Sequence, residues 1–384
     1  MSAADWRRAM NLQPRRLGQP AGRAAVSVGQ APRASRPRFT NPVRLPHLLV
    51  LAVLLAYPWF ATPFFTYQIG AQALALGLIA LSLTFLAGAG GMISLAQMTV
   101  AGIAGYMVAI FGSAATDGAT LGWPWWLAVL LGIAIAVVAA TFIGWLSVRT
   151  EGIYTIMITL AIGVAFYYLA LQNYAVFNGF QGKQQVFPPT LAGIYWRDPT
   201  PFYYLALVCA LAGYLFIVYL LRTPFGIALQ GIRDNPRRMH ALGFNVTAHR
   251  VAAYAVAGAL AAVGGVLFTW YNGLVTPGSV GTGWLINILV IAVLGGMRHP
   301  VGAFLGAVVF VLLQTFAMDI IDRERFNLVI GVVFLVIVLF SRDGLLGWWA
   351  ALSAGMSTHR GGSPWTAART RSYARSSPSP SSPS

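Results

Sequence analysis

Residues 222–250, RTPFGIALQGIRDNPRRMHALGFNVTAHR, interrupt a nearly continuous series of apolar runs with a polar stretch that carries Arg222, Arg233, Arg237, Arg238 and Arg250 against one acid, Asp234. Local signals predict a short helix inside it. Asp234 or Asn235 serves as N-cap, Pro236 takes the first helical position, and Gly243 stands just past the end. On either side lie residues 202–221 and 251–273, each apolar and near the roughly 20 residues that a helix needs to cross the hydrocarbon layer. The stretch therefore reads as an aqueous excursion between two spans, and the chain as an all-α, polytopic membrane protein. A membrane protein that orders a helix in such a loop presents it to something.

Composition agrees. The 384 residues are 58% hydrophobic and 9% charged, outside the range of an ordinary soluble domain. The net charge of +16 sits mostly in two tails: residues 1–45 hold nine arginines against Asp5, and residues 342–384 hold five against Asp343. Neither tail interleaves its charges with the aromatics that base stacking requires, so nucleic acid is not the expected partner. Basic segments flanking spans instead set orientation and meet acidic lipid headgroups. The organisation expected is a basic disordered tail over 1–45, a transmembrane domain over 46–341, and a low-complexity Arg/Ser/Pro-rich disordered tail over 342–384. The N-terminal tail also has the Arg-rich, acid-poor composition of a transit peptide, which is the minor reading. The lone Cys209 lies in an apolar run, which leaves no disulfide framework and no metal set.

About ten apolar segments follow one another, at 48–65, 69–88, 92–112, 125–147, 152–172, 202–221, 251–273, 285–297, 300–317 and 327–341. The pairs 69–112 and 285–317 are expected to include broken or re-entrant helices, which require surrounding protein or a water-filled path. Ten crossings put the N-tail, Arg149, the 222–250 loop, Arg298 and the C-tail on one side, so both termini are predicted to be cytoplasmic. The loops at 113–124, 173–201 and 274–284 face outward. Gly90-Gly91-Met92 and Gly295-Gly296-Met297 echo each other, but one tripeptide pair carries no repeat argument.

The seven acids between the tails (Asp117, Glu151, Asp198, Asp234, Asp319, Asp322 and Glu324) all fall in loops or at span ends, and no histidine is mid-span. Proton or sodium coupling ordinarily uses intramembrane ionisable groups. Nor is there a phosphate cradle of the G-x-x-x-x-G-K-[ST] type, or a hydrolase motif. Uphill transport by such a chain would draw its energy from another polypeptide. An ATPase-independent secondary transporter or channel is the competing class; a membrane enzyme lacks any visible catalytic group.

Four stretches then carry a resemblance: GGMISLAQMTVAGIAGYMVA at 90–109, VRTEGIYTIMITLAIG at 148–163, RTPFGIALQGIRDNPRRMHALGFNV at 222–246, and VLGGMRHPVGAFLGA within 285–306. In this order they resemble the membrane subunit of ABC importers of the branched-chain amino acid type, the LivM-like branch. The resemblance implies a plasma-membrane permease without its own ATP site, working with a second related permease, two cytoplasmic ATPases that hold ATP and Mg, and an extracytoplasmic binding protein. It also implies that Arg233, Asp234, Asn235, Pro236, Arg237, Arg238, Met239, His240, Ala241, Leu242 and Gly243 form the element that docks on an ATPase. Arg238 and Met239 depart from the family pattern, which prefers two alanines there. The implied solute is a branched-chain or related small amino acid, with urea, short amides or another small polar solute as the alternative. No metal or cofactor is expected on this chain.

Candidates for the solute path are Ser94, Gln97 and Thr99 in a glycine-flanked span, and Thr155 and Thr159, one turn apart on the 152–172 segment. Buried hydroxyls and amides need partners in lipid, so these face other helices or a cavity; helix-to-helix hydrogen bonding is the plainer role for any one of them. Gln97, with four hydrogen-bonding sites, is the strongest of the set. Glu151, beside Arg149 at the start of a span, is the candidate gate, with a helix N-terminal charge as its plainer role.

Overall fold

The computed structural model describes residues 45–112, 120–150, 152–191, 193–297 and 299–320, together with 331, 332 and 335. Backbone contacts divide the chain into residues 1–52 and 53–384. Of the first unit only the beginning of a helix is described; the helical bundle belongs to the second.

Nine of the expected apolar segments appear as helices: α1 (Leu45–Phe60), α2 (Phe65–Gly90, its first two turns π-helical), α3 (Gln97–Phe111), α4 (Trp125–Ser147), α5 (Ile153–Gln172), α6 (Pro199–Leu220), and, beyond the 222–250 region, α9 (Val246–Asn272), α10 (Thr282–Gly295) and α11 (Pro300–Ile320). The segment at 327–341 lies outside the described residues as a helix. Among the described residues, α2, α4, α5, α6 and α9 are long and apolar enough to cross a membrane singly. Helices α10 and α11 form a pair bent by 116° at a short break, as expected for a broken or re-entrant span. The other such pair resolves differently, because α2 is a full 26-residue span and only α3, at 15 residues, is too short to cross alone.

The 222–250 region is more helical than its sequence suggested. It contains α7 (Pro224–Asp234) as well as α8 (Pro236–Ala241), and its last residues already belong to α9. Thr223 caps α7 by accepting the Gly226 N–H at 3.4 Å, with Pro224 at the first position. The signal for α7 was present: Phe225, Ala228, Leu229 and Ile232 recur at helical spacing, and Leu229 and Ile232 are fully buried. Two such side chains contribute roughly 1.5–3 kcal/mol each by leaving water, which is enough to seat this helix on the bundle.

Helices α2, α3 and α9 make the centre. The apolar window of α2 is 89% buried, whereas those of α4, α5 and α6 are only 33%, 22% and 33% buried and present Leu130, Val138, Phe142, Met157, Leu169 and Val208 outward. An apolar exterior is what lipid or another membrane subunit covers. Close approach at the centre depends on small residues. A Cβ on Gly265 of α9 would overlap the backbone of Ala101 on α3, so the two helices meet backbone to backbone.

The bundle has two distinguishable ends. At one, β1 (Lys183–Gln184) pairs antiparallel with β4 (Leu274–Val275), joining the two long loops expected to face outward; a second hairpin, β2 (Thr190–Leu191) with β3 (Ile194–Tyr195), lies in the first of these loops. Near this end Tyr67 donates to the Tyr271 carbonyl at 2.8 Å, and Tyr271 donates to Gln68 at 2.9 Å, tying α2 to α9. The breaks after α2 and α10 and the 221–245 segment gather at the other, here called the arginine end.

Candidate functional site

The arginine end is built on the way α2 stops. Gly91 adopts φ +65°, and its N–H bonds to Ala87 O at 3.1 Å while Met92 N–H bonds to Leu86 O at 3.1 Å. The second bond reaches back six residues, so the last turn widens as the chain leaves the helix, and the left-handed position there favours glycine. Gly88 O, another carbonyl of this last turn, accepts from Nη1 of Arg233, the penultimate residue of α7. A guanidinium at a helix C-terminus is also favoured by the helix dipole. Gly91 leaves room for that side chain, since a Cβ there would stand 2.6 Å from Arg233 Cγ. A Cβ on Gly88, in turn, would collide with the Met297 carbonyl from the α10–α11 break. The end of α2 is thus where the 222–250 region and the second broken pair come together.

Beyond Arg233 the chain turns sharply. Asn235 (φ −155°, ψ 92°) is the N-cap of α8, accepting the Arg238 N–H at 2.9 Å, and Pro236 opens the helix, so of the two expected caps it is Asn235 that acts. Gly243, at φ +90°, follows the last turn, and Phe244 N–H returns to Met239 O at 3.1 Å. No residue of α8 is buried. Arg237, Arg238, His240 and Ala241 lie at its surface, as do the apolar Leu242 and Phe244, at 66% and 38% exposure. Met239 turns inward: a Cβ on Gly231 of α7 would lie 2.9 Å from its sulfur. Of the two bulky departures, only Arg238 faces out. Asp234 pairs with Arg233 at 2.9 Å with both side chains well exposed, a pair of small energetic weight.

Behind this surface lies a cavity of about 410 Å³, lined by Gly91, Met92 and Ile93 of the α2–α3 break, Ser147 and Thr150 at the end of α4, Thr155 and Ile156 of α5, Arg233 and Pro236 of the 222–250 region, and Arg250 and Tyr254 of α9. Of the solute-path candidates Thr155 lines it, together with Arg233 and Pro236 of the coupling candidates. Glu151, the candidate gate, falls outside the described residues; its neighbours Thr150 and Gly152 both line the cavity.

The remaining candidates are buried and mostly engaged. Gln97 accepts from Ser82 Oγ at 3.0 Å, linking α3 to α2. Ser94 is fully buried in the break. Thr159 donates to Ile156 O at 3.0 Å and accepts the Leu95 N–H at 3.1 Å, so it satisfies a backbone amide that the break exposes. Thr155 donates to Thr150 O at 3.0 Å. For Gln97 and Thr159 these contacts fit the plainer reading, hydrogen bonding between helices and breaks, whereas the bond of Thr155 is local to the start of its own helix. Thr99 differs: its hydroxyl is fully buried and has no hydrogen-bond partner. Sequence reading missed Tyr106, whose hydroxyl shares that condition, because a tyrosine in an apolar run looks like packing. Among the described residues no cluster of potential metal ligands occurs.

Comparison with known proteins places this arrangement. The family described as "Branched-chain amino acid transport system / permease component" matches residues 65–338. The high-affinity branched-chain amino acid transport system permease protein LivM of Escherichia coli K12 is 25% identical over 342 residues, covering 81% of this chain and 79% of its own. LivM of Salmonella typhimurium is 26% identical over 286 residues, covering 66% and 67%. The corresponding LivH protein of Escherichia coli K12 is 25% identical over 287 residues, covering 70% and 90%. No solved structure matches. With the family profile spanning the whole bundle from α2 onward, the chain belongs to the permease components of branched-chain amino acid transport systems.

Proposed function

We propose that this chain is the translocating subunit of an ATP-driven importer that brings branched-chain or related small amino acids into the cytoplasm, with α8 as the element pushed by a cytoplasmic ATPase. The observation that carries this reading is the Arg233 bridge to the α2 terminus. A force applied to the exposed helix α8 reaches, through one side chain, the break at 91–96 and the cavity behind it. A solvated patch whose only duty was to orient the chain would need no such link.

In this reading the arginine end is cytoplasmic, both termini lie on that side, and the strand end meets an extracytoplasmic binding protein. A second permease subunit of the LivH kind covers part of the apolar exterior, and of the two ATPases one docks on α8 and its neighbours. Leu242, Phe244, Arg237 and Arg238 supply the mixed apolar and cationic face that a docking cleft recognises.

A second reading concerns the solute. The nucleoside ABC transporter permease protein NupC of Lactococcus lactis is 28% identical over 131 residues, 34% of this chain and 40% of its own, which supports a solute class wider than branched-chain amino acids. Urea, short amides and other small polar solutes stay within reach of the same bundle.

The test replaces residues 236–242 by Gly-Ser repeats, or Gly243 by proline, in the full transporter. Membrane insertion is expected to persist while ATP-dependent uptake is lost and the ATPases no longer co-purify. Normal uptake in either variant would remove α8 from the coupling role.

A further inference from the structure

The seam between α3 and α5 holds two polar groups that the fold itself does not explain. Thr99 Oγ1 and Tyr106 Oη are both fully buried without a hydrogen-bond partner. They stand seven residues apart on α3, two turns, and so share one face. Opposite them on α5 run Thr159, Gly163 and Phe166. A Cβ on Gly163 would lie 3.0 Å from Thr99 Oγ1, and the Phe166 ring centroid is 6.2 Å from that of Tyr106. Phe177 completes the group, 5.0 Å from Tyr106 and 6.0 Å from Phe166. Leu285 of α10 also packs at Gly163. One turn before Thr159, Thr155 lines the 410 Å³ cavity; from there to Phe166 is about 16 Å of helix rise. The seam therefore lies further along the same helix that lines that cavity.

An unpaired buried hydroxyl carries a desolvation cost that packing does not return. We propose that Thr99 and Tyr106 form an occluded solute station between α3 and α5, taking a small solute of zero net charge that bears an apolar group. The two hydroxyls hydrogen-bond its polar end, and the rings of Tyr106, Phe166 and Phe177 receive its apolar end. No acidic or basic side chain lies on α3, α5 or α10. Lys183 of β1, buried where that strand packs on α3, is itself cationic, so a cationic solute would be buried there without a counter-charge, at a cost that a zwitterion or a neutral amide does not meet. In this conformation the rings pack on one another, so admission requires α5 to move from α3, and α5 is the least buried of the single spans. This inference rests on the chain being the translocating subunit and adds where the solute sits and which charge class is accepted.

The test uses Thr99→Val and Tyr106→Phe, each of nearly unchanged shape, in the complete transporter reconstituted in vesicles. Uptake of labelled leucine, urea and lysine is measured with the thermal midpoint of the purified complex. The wild type is expected to accumulate leucine or urea and to exclude lysine. Both variants should assemble and keep or raise the midpoint, yet show at least a tenfold increase in apparent KM, with Thr99→Ser restoring wild-type affinity. Kinetics within twofold of wild type in both variants overturn the station, as does loss of assembly in both, which is how packing residues behave. Efficient lysine uptake by the wild type overturns the charge argument. A wild-type complex that accumulates none of the three probes instead defeats the importer reading, and the station with it.

Discussion

Single residues at the arginine end carry consequences out of proportion to their size. Gly91→Ala asks a Cβ to sit in the left-handed region, which costs about 1–2 kcal/mol for an L-residue, and to share space with Arg233 Cγ. A lower thermal midpoint is expected, measurable on the purified subunit in detergent. Thr159→Val removes the acceptor for the Leu95 N–H. Leaving that buried amide unpaired is expected to cost ~1–3 kcal/mol, and hydrogen–deuterium exchange at 94–97 should accelerate; unchanged protection there would show that another acceptor takes over. Arg233→Ala should leave the fold intact and lower uptake per ATP hydrolysed in the full transporter by about tenfold, and a parallel fall in both rates would count against a transmitting role. The sequence made some of these roles visible and hid others. Pro236 and Gly243 announced their positions because capping chemistry is local. The unpaired state of Thr99 and Tyr106 was illegible, because it depends on which helices pack opposite them.

Among elements, the apolar pattern located the helices well, since each must cross or pack in the same hydrocarbon layer whatever its neighbours. It misjudged α7, read as part of a polar loop although Phe225, Ala228, Leu229 and Ile232 form one apolar face. Arg222 just ahead of its cap and Arg233 in its last turn drew the eye from the periodicity between them. The broken nature of α10 and α11 was legible from length, whereas their 116° bend is set by the packing of Gly295, Gly302 and Gly306 against one another's backbones. Gly306→Leu is accordingly expected to separate this pair and abolish assembly, detected as loss of the monodisperse complex in size-exclusion chromatography. A complex that persists with normal uptake would mean that the close crossing is dispensable.

For the whole molecule, sidedness is the property most open to direct measurement. With Cys209→Ala as background, a cysteine at Phe244 should react with an impermeant thiol reagent only from the cytoplasm, and one at Phe180 only from outside; both positions are exposed, at 38% and 77%. Labelling from the opposite sides would invert the topology derived from the arginines. Reconstituted alone, the subunit should concentrate no solute on a pH or sodium gradient, because the acids identified in its sequence all lie outside the span centres. The meeting of α7, the end of α2 and the 296–299 break around Gly88 has a genetic corollary. Second-site suppressors of an impaired Arg233 variant, selected by growth on the imported nutrient, should cluster at positions 88–91 and 296–299 rather than scatter over the lipid-facing helices, since a fault at one member of a joint is most readily corrected at the others.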